Sequence, residues 1–298
     1  MPAQPGILAP VPRAARHVTL RQRPGVDPRS ALDRLATLTE GESLVVGVGP
    51  SLAACLSASI PGLRPFPALL GPGIDVPSTP AALWLWARAD DAGLAIDAAR
   101  RALVAVEDAF VATRTIDAFR YREGRDLTGY EDGTENPTGD AAQQAAIVAN
   151  AGAGLDGGSF AALQQWTHDM TAYAALDAAT QDASVGRRKA DNEELADAPA
   201  SAHVKRTAQE SFEPPAFVVR RSMPWATAHG EGLVFLAFGA TLDAFEAQMK
   251  RMTGYEDRIS DALFRFTRPI TGAYFWCPPV ARGRLDLSRL LAPRAART

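Results

Sequence analysis

The segment GYEDGTENP, residues 129–137, places three carboxylates, two glycines, an asparagine and a proline in nine residues. Asp-Gly supplies the positive φ angle that a tight turn needs, and Asn-Pro favours an extended exit, so a solvated turn explains this composition. A carboxylate on such a turn is also a candidate acid–base catalyst, because aspartate can accept a proton and return it. The nine residues alone leave both interpretations open.

Histidine is the second residue type with chemical potential, and the chain has four: His17, His168, His203 and His229. No HExxH motif and no cysteine–histidine spacing indicates zinc, and the acidic segment does not fit an EF-hand loop. The sequence therefore predicts no metal bound by protein atoms alone. A single histidine can still anchor iron when a porphyrin supplies the other four ligands.

The acidic segment is part of a longer stretch, RDLTGYEDGTENP (125–137), that resembles the signature of the dye-decolorizing peroxidases. These are haem enzymes whose distal base is the aspartate of a Gly-x-x-Asp-Gly motif. Further blocks resemble the family in the same order: QQWTHDM (164–170), VGRRKADNEEL (185–195), SAHVKR (201–206), VVRRSMPW (218–225), GLVFLAF (232–238) and DALFRFTRPITGAYFWCPP (261–279). They cover nearly all of residues 110–280, and PGILAPVPRAARHVTL is similar to the cytoplasmic bacterial B/P-like branch.

Carried over residue by residue, the resemblance makes His203 the proximal iron ligand, Asp132 the distal carboxylate and Arg220 the distal guanidinium. Gly133 lets the aspartate turn approach the haem closely, because a glycine has no side chain in the way. Ser222 stands where many bacterial relatives have an asparagine. This difference leaves the role of the arginine intact and puts a distal amide hydrogen bond in question.

Two further residues have an alternative interpretation. The resemblance implies that Asp261 is the anionic partner of the His203 imidazole, which would raise the basicity of that ligand. The alternative is a helix N-cap or a surface acid. Arg187 is predicted to bind a haem propionate, since a guanidinium suits paired carboxylate oxygens. Its alternative is a solvated charge in a basic run.

Two site assignments require a choice between two residues of the same type. Arg220 and Arg221 are adjacent on a predicted strand, so only one can face the pocket, and the resemblance favours Arg220. His168 lies in another strand pattern and competes as the iron ligand. The order of the blocks assigns that role to His203.

The resemblance implies a haem-dependent peroxidase that reduces hydrogen peroxide and oxidises dyes, phenols or other small aromatic electron donors through a high-valent iron-oxo state. One haem b per chain would be bound non-covalently, since the chain has no Cys-x-x-Cys-His motif. The pKa of an unperturbed aspartate is about 3.9, so activity should favour acidic pH. The alternatives are a haem-binding or iron-release protein, a chlorite-decomposing enzyme of related fold, and a non-haem interaction module.

Composition limits the remaining classes. The chain has 298 residues, a net charge of -3 and 47% hydrophobic residues, which predicts a globular protein that does not bind nucleic acid. The sequence contains no signal-peptide pattern and no apolar run of membrane-spanning length, so we expect a cytoplasmic protein that is not bound to a membrane. Cys55 and Cys277 are too few for a disulfide scaffold and are predicted to be buried thiols.

The elements that position these residues follow from hydrophobic periodicity. Strands are predicted at 17–21, 43–48, 81–88, 110–121, 159–170, 215–223, 232–240 and 271–279, and helices at 28–40, 90–104, from 173, and 242–252. The repeated rhythm predicts an α+β fold of two ferredoxin-like (βαββαβ) halves of the dimeric α/β-barrel type, each an antiparallel sheet covered by helices. We assign 1–125 to the first half, 126–157 to a distal haem loop and linker, and 158–298 to the second half, which carries the haem site.

Such halves leave surfaces that relatives bury between subunits, so we expect a homo-oligomer, a dimer or larger. The C-terminal tail RLDLSRLLAPRAART (284–298) shows no recognisable docking peptide. The sequence leaves open whether the protein is packaged in a protein shell.

Overall fold

The computed structural model describes residues 2–291, which form a mixed α+β fold around one long sheet. The helices are α1 Arg29–Leu38, α2 Pro50–Cys55, α3 Ala92–Val106, α4 Gly139–Ala146, α5 Met170–Ala174, α6 Ala178–Val185, α7 His203–Arg206, α8 Asp243–Met252 and α9 Ser288–Leu291. The strands are β1 Ala14–Gln22, β2 Leu44–Val48, β3 Leu69–Gly71, β4 Ile74–Val76, β5 Leu83–Ala89, β6 Phe110–Phe119, β7 Ser159–His168, β8 Val219–Arg220, β9 Met223–Thr227, β10 Gly230–Gly239, β11 Thr267–Pro269, β12 Ala273–Cys277, β13 Val280–Ala281 and β14 Arg284–Leu285.

The main sheet has ten strands in the order β6-β1-β5-β2-β12-β7-β10-β8, with β9 beside β10 and β11 beside β7. Its adjacent strands are antiparallel. The predicted α+β class with antiparallel pairing is therefore confirmed. The sheets of the two halves are continuous, because Val48 of β2 pairs with Trp276 of β12.

The same strand order occurs twice in the sheet. In the first half β1, β2, β5 and β6 follow the spatial order β6-β1-β5-β2, and in the second half β7, β8, β10 and β12 follow the order β12-β7-β10-β8. In each set the fourth strand lies outside the first, and the third lies between the first and the second.

The sheet curls, so that strands from its two halves face each other across an aromatic core. The Trp86 ring on β5 lies 5.9 Å from the Phe238 ring on β10, and the Trp84 ring lies 5.6 Å from that of Phe275 on β12. Strand β6 also lies alongside β9. The opposite face of the sheet is covered by helices.

Helix α3 shows why these segments pack as they do. It begins after Asp91, whose carboxylate accepts hydrogen bonds from the Gly93 and Leu94 amides and so caps the helix. Its buried face consists of small residues, which allow close approach to the sheet: Ala95, Ala98, Ala99, Ala102 and Ala105.

Two predictions from the sequence are corrected. The strand predicted at 215–223 is interrupted: β8 covers two residues, and Ser222 uses its hydroxyl to accept the hydrogen bond from the Leu236 amide before β9 begins. Cys55 is exposed, because it ends the short helix α2 on the outer side, whereas Cys277 is buried.

Two further predictions concern membrane-spanning helices and the C-terminal tail. None of the helices within residues 2–291 has the length and apolar character needed to cross a membrane. The last part of the tail, residues 292–298, lies outside the described residues.

His17 generates a prediction about acid stability. Its imidazole lies beside both Trp84 and Trp86 in the aromatic core, with ring centroids 6.0 and 5.8 Å away, and neither ring nitrogen has a hydrogen-bond partner within residues 2–291. Burial lowers the pKa of His17 from 6.5 to about 3. A histidine with a lowered pKa stabilises the fold above the unfolded-state pKa, and this contribution is lost as the pH falls towards the folded-state value. Between pH 6.5 and 4 we expect a loss of roughly 3 kcal/mol.

The measurement is the free energy of unfolding in urea at several pH values for the wild type and for His17→Phe. Phenylalanine keeps an aromatic ring in the stack and does not titrate, so the variant should lose less stability on acidification. The matched control is His229→Gln, because His229 is exposed. Equal pH dependence of the wild type and His17→Phe would show that His17 is not buried as a neutral group.

Candidate active site

A cavity of about 320 Å³ lies between the helix-covered face of β7 and β10 and the segment that carries α7 and α8. Successive strand residues point to opposite faces, so alternate residues of β7, namely Gln164, Trp166 and His168, share this wall. Apolar side chains form one part of the remaining lining: Leu233, Phe235, Phe245, Met249, Met252, Leu263 and Phe266. Polar and charged side chains form most of the rest.

His203 lines the cavity from the first turn of α7. Its Nδ1 lies 2.7 Å from Oδ2 of Asp261, whose side chain is 0% exposed. An ionised carboxylate can only accept, so Nδ1 carries the proton and the other ring nitrogen, Nε2, is deprotonated in the neutral imidazole. Asp261 also accepts a hydrogen bond from the Leu263 amide at the start of a 3-10 turn. The two interpretations of Asp261 therefore hold together, since one carboxylate caps the turn and contacts the imidazole.

A buried arginine fixes the helix that carries His203. Arg206 makes bidentate contacts of 2.7 and 2.8 Å with the carboxylate of Asp257 and donates to the carbonyl of Arg251 at the end of α8. Its side chain is almost completely buried. Helix α7 is thereby tied to the segment that leads from α8 to Asp261.

Asp132 and Arg220 also line this cavity. Nη1 of Arg220 lies 3.6 Å from Oδ1 of Asp132, which is longer than a direct hydrogen bond. Both side chains are about one fifth exposed, at 18% and 22%. The carboxylate and the guanidinium therefore retain hydrogen-bonding capacity for a small molecule between or beside them. Gly133, the next residue, has a φ of 81°, the left-handed conformation that glycine adopts without strain.

Arg220 and Arg221 lie on opposite faces of the sheet. Arg220 is the cross-strand partner of Ala237 and reaches the cavity, whereas Arg221 donates to the carbonyl of Leu8 on the other side. Burial lowers the pKa of Arg221. Arg221 therefore anchors the N-terminal segment and does not line the cavity.

Ser222 lies in a second, smaller cavity of about 50 Å³. This space also borders Asp132, Gly133 and Arg220, so it adjoins the distal pair from the side away from β7. The Ser222 hydroxyl accepts from the Leu236 amide at 3.3 Å. A serine at this position leaves room beside the distal pair that a larger amide side chain would fill.

Arg187 lines the main cavity but is held by acidic partners. Its guanidinium lies 2.5 Å from Glu135 and 3.3 Å from Glu194, and it donates to the Asn192 carbonyl at 2.9 Å. It is neither solvated nor free, and any further anion would have to share it with these carboxylates.

His168, the rival for iron, has both ring nitrogens engaged. Nδ1 lies 2.7 Å from the Thr267 hydroxyl, and Nε2 lies 2.9 Å from Asp126. Burial tends to raise the pKa of Asp126, but the hydrogen bonds and charge of His168 and the hydrogen bonds from Thr128 hold it below its usual value. The ring of His203, in contrast, makes its hydrogen bond within residues 2–291 through Nδ1, which leaves Nε2 for another ligand.

Sequence reasoning missed a polar network that reaches the cavity wall through Tyr130. The hydroxyl of Tyr130 donates to Asp182 at 2.5 Å, and Lys189 donates to Gln181 at 2.7 Å and to the hydroxyl of Tyr173. Burial raises the pKa of Tyr173 to about 12 and lowers that of Lys189. These residues come from three separate segments, so no local pattern in the sequence signals their association.

Comparison with known proteins agrees with this arrangement. Residues 123–282, more than half of the chain, match the model of the C-terminal part of the Dyp-type peroxidases. The dye-decolorizing peroxidase of Mycobacterium tuberculosis is 31% identical over 230 residues, which is 73% of this chain and 67% of that protein.

Solved structures give the same family. A dye-decolorizing protein from V. cholerae superposes with a TM-score of 0.83 and 30% identity, covering 92% of this chain and 96% of that one. A variant of DypB from Rhodococcus jostii RHA1 in complex with haem superposes with a TM-score of 0.83 and 26% identity, covering 94% and 96%. The chain belongs to the dye-decolorizing peroxidase family, and the predicted enzyme class, a peroxidase and thus an oxidoreductase, is confirmed.

Proposed function

We propose that the cavity binds one haem b per chain, non-covalently, with His203 as the axial ligand of the iron. The residues fit such a group: part of the wall is apolar, charged groups line the rest, and one imidazole nitrogen is available while the other is held by a buried carboxylate. A histidine with a hydrogen-bonded second nitrogen is the usual form of a metal-ligating imidazole. The complex of the DypB variant with haem supports haem as the bound group.

The observation that carries a peroxidase function is the Asp132–Arg220 pair in the same cavity as His203. A haem held here by His203 would supply the two electrons that reduce peroxide and would recover them from an electron donor. Asp132 can take a proton from one oxygen of hydrogen peroxide and deliver it to the oxygen that leaves. Arg220 places a fixed positive charge where negative charge develops on that oxygen. A 3.6 Å separation lets both groups contact the substrate instead of saturating each other.

Two other residues have supporting roles in this proposal. Asp261 places negative charge against the N–H of His203 and so increases the basicity of the ligand. Arg187 binds a haem propionate, which would compete with its contacts to Glu135 and Glu194. Gly133 and Ser222 keep space around the distal pair.

The substrates we propose are hydrogen peroxide and small aromatic electron donors, including phenols and dyes. A space beside Asp132 and Arg220 that suits peroxide does not admit a bulky dye, so large donors react at the edge of the bound haem or through aromatic residues of the protein.

We also propose that each half is a ferredoxin-like unit of the dimeric α/β-barrel type, divided at 1–125, 126–157 and 158–298. The repeated strand order supports this division. We also propose a cytoplasmic homo-oligomer, a dimer or larger. The apolar side chains exposed on α1 and α3, Leu38, Leu94 and Val104, support the association between subunits.

The test of the distal pair is the rate at which peroxide changes the Soret band of the haem-loaded protein. Asp132→Asn should slow this reaction by about 10²–10⁴-fold, the range for loss of a general acid–base group. Arg220→Leu should slow it by about 10²–10³-fold, and the two effects should not add, because both act on one transition state.

Glu123→Gln is the control for the aspartate, since Glu123 is an exposed carboxylate on the same segment and does not line the cavity. It should stay close to the wild-type rate. Rates within threefold of wild type for both distal variants would show that Asp132 and Arg220 are not the groups that catalyse the peroxide reaction.

The reduction potential of the bound iron tests the role of Asp261. Asp261→Asn replaces the carboxylate by a neutral amide, so the histidine becomes less basic and the potential should rise. Asp177→Asn is the control, because Asp177 caps α6 and has no contact with His203. An unchanged potential in Asp261→Asn would restrict Asp261 to its capping role.

A further inference from the structure

Arg220 lies on an edge strand, and its backbone would be unpaired without help. Strand β8 ends the order of the main sheet. The Arg221 amide donates to the Leu236 carbonyl, so the N–H and C=O of the preceding residue, Arg220, point away from β10. Edge strands leave such groups without partners.

Two side-chain carboxamides occupy this outer edge. Oδ1 of Asn136 accepts from the Arg220 amide at 2.8 Å, and its Nδ2 donates to the Arg220 carbonyl at 3.1 Å. The same carbonyl also accepts from Nη1 of Arg221 at 2.9 Å, so Asn136 is the partner of the N–H and shares the C=O. Two residues before Arg220, just ahead of the strand, Oε1 of Gln209 accepts from the Val218 amide at 2.9 Å, and its Nε2 donates to the carbonyl of Glu135 at 2.9 Å. The carboxamides stand in for a neighbouring strand.

We propose that Asn136 is a positioning residue that sets the separation between Asp132 and Arg220. The proposal deepens the peroxidase function proposed above and rests on it for its kinetic consequence. Asn136 lies four residues after Asp132 in the same loop, and its amide binds the backbone of Arg220. One side chain therefore joins the two elements that supply the distal groups.

The direct attraction between the side chains of Asp132 and Arg220 is too weak to fix their separation. Their 3.6 Å contact is not a hydrogen bond, and partly exposed ion pairs contribute about 0–1 kcal/mol. The paired hydrogen bonds of Asn136, in contrast, fix both distance and orientation at a backbone. The substrate needs only the guanidinium of Arg220 and the carboxylate of Asp132 to be free. The hydrogen bonds of Asn136 to the Arg220 backbone, which we call the clamp, position both groups without occupying them.

The proposal also explains the composition of GYEDGTENP. The backbone N–H of Asn136 donates to the Gly133 carbonyl at 3.0 Å and closes the turn after Asp132. A Cβ atom at Gly133 would lie 2.8 Å from Nδ2 of Asn136. Glycine at 133 thus provides both the left-handed turn and the space for the amide side chain.

The first test is amide hydrogen exchange of Arg220 in the haem-loaded protein. Asn136→Ala removes the acceptor of that N–H, so its exchange should accelerate. The matched control is Asn192→Gly, which removes two hydrogen bonds to the same loop, to Glu131 and Thr134, without touching Arg220. Glycine suits the control because Asn192 has a φ of 61°. Equal Arg220 exchange in wild type and Asn136→Ala would overturn the proposal.

The second test is the reaction with peroxide. Asn136→Ala should slow it by up to about 10²-fold, the effect of misplacing a catalytic group by about 1 Å. In an Arg220→Leu background the same change should have little further effect, because there is no guanidinium left to position. A full additional loss in that background would contradict a positioning role.

A second variant keeps the proposal testable if the alanine variant does not fold. Asn136→Asp retains the acceptor for the Arg220 amide but replaces the donor to the Arg220 carbonyl by an oxygen. Arg220 exchange should remain slow while the peroxide reaction slows, and a wild-type rate would count against the clamp. If Arg220→Leu and Asp132→Asn both react at the wild-type rate, the proposed function fails, whereas the exchange result still reports on the clamp.

Discussion

The cavity depends on the hydrogen bonds that the buried carboxylate of Asp261 accepts. An unpaired charge inside a protein is costly, so a fully buried aspartate must be surrounded by donors. His203 and the Leu263 amide supply these donors, while the Asp261 amide itself donates to Met252 at the end of α8. The helix that bears the imidazole, the end of α8 and the turn that lines the cavity therefore converge on one residue.

The opposite wall depends on the two-residue periodicity of the strands. Alternation places Gln164, Trp166 and His168 on the cavity face of β7, while Ala161 and Leu163 point into the aromatic core. On β8 the same rule separates two adjacent arginines, one towards the cavity and one towards the N-terminal segment. One sheet can thus form a packed core on one face and a binding site on the other.

Most of the long elements could be predicted from the sequence, because their hydrophobic periods are regular. Strands β1, β5 and β10 and helices α1, α3 and α8 begin and end within a few residues of the predicted positions. The strand at 215–223 could not be predicted correctly, since a hydroxyl of Ser222 replaces a backbone partner there. The joining of the two sheets through β2 and β12 depends on a single pair more than two hundred residues apart in sequence.

The residues of the candidate site could be predicted from the sequence, but the contacts that hold them in place could not. The motif resemblance identified Asp132, His203 and Arg220, and the structure brings all three to one cavity. The partners that hold them, such as Arg206 and Asn136, were not identified, because a salt bridge or a side chain bound to a distant strand has no local sequence period. Asn136 was nevertheless in the segment whose composition first raised the question of chemistry.

The central claim, that His203 binds haem iron in this cavity, is tested most directly by titrating the protein with haem and recording its visible spectrum. The account predicts a saturable spectrum at one haem per chain for the wild type and for His168→Ala, and loss of the axial-ligand bands in His203→Ala. A wild-type spectrum for His203→Ala together with its loss in His168→Ala would contradict the account.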